Sequence, residues 1–91
     1  MAKQTPHGPI DSALAALHEA ASRPSRIPQI KAQLSYVFPQ ILNRAHRTYL
    51  EEKLNEIEDA RNSPRDLDAI AHQIDIWNDR EFPLSRGYRS K

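Results

Sequence analysis

The chain is expected to be all helical, a small bundle of three to four antiparallel helices whose middle helix is long, with Pro39 either kinking it or separating two helical segments in near continuity. Three observations predict this. Apolar residues recur at steps of three and four through most of the sequence. β-branched residues are few and period-two alternation is absent. Only two glycines are available for hairpin turns.

The first helix is expected near Pro9, a residue tolerated in a first turn, with Gly8 or Asp11 as its cap. Its apolar face is Ile10, Leu14, Leu17 and Ala21, and Ala13, Ala16 and Ala20 flank it with side chains small enough to admit a close neighbour. Arg23-Pro24 ends it. A second helix should follow, with Ser25 as cap and Pro28 in the first turn, where no intrahelical donor is lost.

The strongest helical signal is Pro39 to Arg61, and the other segments read as elements packed against it. Leu42, His46, Tyr49, Leu50, Lys53, Leu54, Ile57 and Ala60 share one face, while Arg44, Arg47, Glu51, Glu52, Asn55, Glu58 and Asp59 lie opposite. A helix starting at Pro39 would put Arg44 and Arg47 near its positive end. The line Ile27, Ile30, Leu34, Phe38, Ile41, Ala45, Tyr49 continues through Pro39, so a kinked helix would place Arg44 at mid-helix. The competing reading is two helices meeting near Phe38, because the residue before a proline avoids the helical region. Asn62-Ser63-Pro64 then punctuates the chain, with Ser63 as cap, Pro64 as first helical residue and Asp66 near the positive end. Leu67, Ile70, Ala71, Ile74 and Trp77 form the last apolar face, and Pro83 closes the helix.

Residues 1–8 are expected as a flexible lead, 9–83 as a single helical domain and 84–91 as a basic tail. The chain has 91 residues and 38% hydrophobic content, so one modest core is the most it can bury, and a partner or a second copy would add to it. No cysteine is present, which excludes disulfides, thiol nucleophiles and Cys-ligated metals. The apolar run Ile10 to Ala21 is broken by Asp11, His18 and Glu19, so it does not resemble a secretory signal. No stretch of about 18 apolar residues could span a membrane. A cytoplasmic location is the expectation.

Charge is the least ordinary feature. From Ala20 to Leu50 there are five cations, Arg23, Arg26, Lys31, Arg44 and Arg47, and no acid. From Glu51 to Phe82 the net charge is −6, so the near-neutral total of +1 hides a dipolar molecule. The basic segment could track a phosphate backbone or meet an acidic protein surface. It could equally be neutralised within the fold.

No constellation of catalytic residues stands out. Asp68, His72, Asp75 and Asp79 share a helix face, yet they lack the spacing of a metal site and read best as solvated charge. There is no G-x-S-x-G and no Gly-rich phosphate loop. His46 reads as a partly buried structural histidine. No cofactor and no metal are expected. The sequence therefore points to a small non-catalytic interaction protein, an adaptor, regulator or inhibitor of another protein, with homodimerisation as a further expectation. Trp77, Tyr49, Arg44 and Arg47 are the candidate partner-binding residues. The alternative is a helical nucleic-acid-binding regulator that uses Arg23, Arg26, Lys31, Arg44 and Arg47.

Overall fold

The computed structural model describes residues 8–82, which form four α-helices and, among the described residues, no strand: α1 (Gly8–Ser22), α2 (Ile27–Val37), α3 (Arg44–Asp59) and α4 (Pro64–Glu81). Short 3-10 turns at Pro24–Arg26 and Phe38–Gln40 follow α1 and α2. Gly8, expected at the end of the flexible lead, is the first residue of α1. Residues 1–7, Pro83 and the tail expected over 84–91 lie outside the described residues.

The helix around which the others gather is α1, not the segment from Pro39 to Arg61. It packs against α2, α3 and α4, most extensively against α4. Its composition explains this: Ala13, Ala16, Leu17 and Ala20 are buried, and Ala13, Leu17 and Ala20 have no exposed surface. Three alanines let neighbouring backbones approach while Leu14 and Leu17 fill the space between them. Arg23 N–H bonds to the Glu19 carbonyl at 2.7 Å as α1 ends.

Ser25 does not cap the second helix. It lies inside the 3-10 turn, Arg26 occupies the cap position without a side-chain cap bond, and Pro28 falls in the first turn as expected. The long helix kinked at Pro39 is not present. Phe38 keeps helical angles, φ −54° and ψ −43°, directly before the proline. Pro39 falls at the start of the Phe38–Gln40 turn, where its missing N–H is not required. The helical path breaks further on, at Ile41, which turns extended with φ −83° and ψ 110°. The line Ile27, Ile30, Leu34, Phe38, Ile41 is buried throughout, but it ends there and Ala45 is exposed.

Asn43 then begins α3 afresh: its side-chain oxygen accepts from the His46 N–H at 3.1 Å, and its carbonyl accepts from the Arg47 N–H at 3.0 Å. The restart keeps Leu50, Leu54 and Ile57 in the core but turns Leu42 out. Tight bonds from Ala60 N–H to the Glu56 carbonyl and from Ser63 N–H to the Ala60 carbonyl carry the chain into α4. Ser63 holds the cap position without a side-chain bond, and Pro64 is the first helical residue. Leu67, Ile70 and Ile74 are buried, and α4 ends at Glu81 with Phe82 N–H bonded to the Asn78 carbonyl.

The core is wholly apolar among the described residues, with no buried polar or charged side chain. None of the described helices is long and apolar enough to cross a membrane.

Candidate functional site

The opening turn of α3 is electrostatically inverted. Arg44 is the first helical residue and Arg47 follows one turn on, while no acid lies in the first turn and no base in the last. Cations at the positive end of a helix dipole are unfavourable, and the mid-helix placement that would relieve Arg44 does not occur. Neither arginine forms an ion pair among the described residues, and Arg44 is exposed.

One turn further, α3 meets the end of α4 through rings. Tyr49 stacks on Trp77 with centroids 4.4 Å apart and planes 12° from parallel. His46 meets Trp77 edge-on at 5.5 Å and Phe82 at 5.2 Å, and Trp77 meets Phe82 at 5.8 Å. Offset and edge-on rings pair a negative face with a positive edge, which adds to simple burial. His46 also reaches Glu81 at 3.2 Å. Lys53 sits 5.2 Å from the Tyr49 ring centroid and donates to Glu56 and Gln73. Burial, helped by the charge of Glu56 and opposed by that of Arg80, raises the Tyr49 hydroxyl above the ordinary phenol value.

Two clefts flank these rings. A groove of about 410 Å³ is lined by Pro9, Ile10, Gln40, Ile41, Leu42, Asn43, His46 and Phe82. A shallower cleft of about 240 Å³ is lined by Tyr49, Gln73, Ile76, Trp77 and Arg80. Each has an aliphatic side chain turned to solvent, Leu42 at 94% exposure and Ile76 at 45%.

Tyr49 and Trp77, expected to contribute to one surface, are in direct contact, and Arg44 and Arg47 stand on the same helix as Tyr49. The wider basic segment does not stay together as a free patch. Arg26 pairs with Glu19 at 3.2 Å and Lys31 with Glu58 at 3.1 Å, so two of its five cations are answered within the fold. Arg23 is exposed at the end of α1. Of the row Asp68, His72, Asp75 and Asp79, Asp75 turns to His18 of α1 at 3.0 Å, and no group of three or more ligand-type side chains gathers among the described residues.

Sequence reasoning missed Leu42, placed with the core and found on the surface; Tyr36 of α2 is 77% exposed as well. It also missed Phe82 as a member of the ring cluster. For Leu42 a signal existed: Asn43 directly before a helical face is an N-cap residue type, and a cap there excludes Leu42 from the helix. Comparison with known protein families, curated proteins and solved structures finds no match to this chain.

Proposed function

We propose that the protein is a small non-catalytic interaction module that binds another protein, as an adaptor, regulator or inhibitor, through the α3–α4 ring surface and its two clefts. The observation that carries this reading is the pair of exposed aliphatic side chains, Leu42 and Ile76, each beside an apolar cleft that shares the same aromatic cluster. Aromatic residues held rigid by their neighbours, with apolar side chains around them, are the usual composition of an interface centre. His46 is the one titratable side chain lining the groove, and its ring nitrogen is engaged by Glu81 at 3.2 Å. We take the four helices as an antiparallel bundle, which would set both clefts at one end of the α3–α4 pair. Nucleic-acid binding by Arg23, Arg26, Lys31, Arg44 and Arg47 is the competing reading, and it is weakened by the two internal pairs to Glu19 and Glu58.

The test is retention of a cellular protein by the immobilised wild type and by a Leu42→Ser, Ile76→Ser double variant, alongside light scattering with mixed-sequence nucleic acid across a salt series. The expected result is one identified protein held by the wild type and lost by the variant, with no nucleic-acid complex. A complex with nucleic acid that forms at low salt and dissolves as salt rises would replace this reading with the other one.

A further inference from the structure

We propose that the groove beside Leu42 is filled by the chain's own segment that follows Phe82, with Leu84 as the side chain that enters it. The described chain ends in the wall of this groove: Phe82, its last residue, lines it together with Pro9, Ile10, Ile41 and Leu42. Phe82 is fixed there by edge-on contacts to His46 at 5.2 Å and to Trp77 at 5.8 Å. Its N–H makes the bond that finishes α4, to the Asn78 carbonyl, and its own backbone has left the helix with φ −132° and ψ 58°. Pro83 agrees with that departure, since a residue before proline is disfavoured in the helical region. The chain therefore leaves α4 from the groove wall, off the helix axis.

Sequence and reach select this occupant. Leu84 stands two places past Phe82, and two residues span at most about 7 Å, so its side chain is confined to the neighbourhood of the groove. The groove holds about 410 Å³, and Leu42 stands 94% exposed at its edge. A leucine entering there covers aliphatic surface that the helices leave in water. At the opposite rim Pro9 is preceded by Gln4, Thr5, Pro6, His7 and Gly8, which include no Leu, Ile, Val, Met or Phe to serve as the anchor.

A tethered side chain also has the advantage over a free rival. Held this close, it meets the groove at an effective concentration on the order of millimolar, which a second copy reaches only in a concentrated solution. The contact does not rest on the protein-binding reading, but it adds a regulation to it. A protein that takes the groove has first to displace Leu84, so the segment after Phe82 lowers the affinity for that partner. The shallower cleft beside Ile76 is not controlled in this way, because Phe82 does not line it.

The experiment is methyl NMR on the full chain alone, as wild type, Leu84→Ser and Leu84→Met, with one wild-type sample mixed from labelled and unlabelled copies. Nuclear Overhauser effects are expected between the Leu84 methyls and those of Ile10, Ile41 or Leu42. They should persist on dilution and be absent between labelled and unlabelled copies. Leu84→Ser should shift the Ile10, Ile41 and Leu42 methyl resonances, whereas Leu84→Met, which conserves volume and apolarity, should leave them nearly in place. The proposal is overturned by the absence of these effects, by groove resonances indifferent to Leu84→Ser, or by effects that arise only between copies, which would make the occupant a second chain. Immobilised Leu84→Ser should also retain the cellular protein more strongly than the wild type does, and equal retention would overturn the displacement. The two readings fail separately. Contacts from Leu84 with no protein retained by either chain would remove the binding module and leave this contact standing. Absent contacts, with a protein still held by the wild type and lost by the Leu42→Ser, Ile76→Ser variant, would remove this proposal alone.

Discussion

Leu42 and Ile57 are aliphatic residues on one helical line of the sequence, yet the first is 94% exposed and the second has no exposed surface. Their substitutions should therefore separate cleanly. Ile57→Ala should cost about 2 to 5 kcal/mol, the transfer free energy of the lost methyl groups plus the cavity left among Leu50, Leu54 and the facing helices. Leu42→Ala should stay within about 0.5 kcal/mol, since nothing packs there to be lost. Urea unfolding of the two variants measures both, and equal losses would put Leu42 in the core. Trp77 shows a different limit of single-residue reasoning. Its place at periodic spacing on the last apolar face was legible, but its contacts are not, because the stack on Tyr49 depends on how far α4 slides along α3. Sequence spacing within one helix contains no information about that.

The beginning of α3 is where local chemistry and pattern disagree. Asn43 caps it while Arg44 sits at its first position, so one residue favours this start and the next opposes it. Asn43→Ala should destabilise the protein by about 0.5 to 2 kcal/mol through loss of the bond to the His46 N–H. Arg44→Glu should stabilise it by about 0.3 to 1 kcal/mol by placing a negative charge at the positive helix end. Thermal melts at low ionic strength read both, and a destabilising Arg44→Glu would mean that the arginine has a structural role the dipole argument omits. The same few residues show how far the elements could be read in advance. The apolar faces of α1, the body of α3 and α4 followed from period, and the start of α4 followed from Ser63-Pro64. The break between α2 and α3 did not, because Pro39 draws attention to itself while the chain turns two residues later at Ile41. A proline accommodated in a short 3-10 turn leaves the apolar line intact up to that point, and only the extended backbone angles of Ile41 and Asn43 reveal the change of direction.

In the whole molecule the basic and acidic halves are partly knitted together. Lys31 of α2 reaches Glu58 of α3, and His18 of α1 reaches Asp75 of α4. These contacts are exposed and contribute little individually; the burial of α1 matters more. Its alanine and leucine face is covered by α2, α3 and α4 together, and the cover is complete only with α4, the last helix of the described chain. That order has a consequence for the protein's birth. Synthesis proceeds at roughly 5 to 20 residues per second, so α1 leaves the ribosome on the order of seconds before α4 exists to cover it. During that interval Leu14 and Leu17 have only transient neighbours, and the nascent chain is more open to aggregation and to chaperone capture than the finished protein ever is.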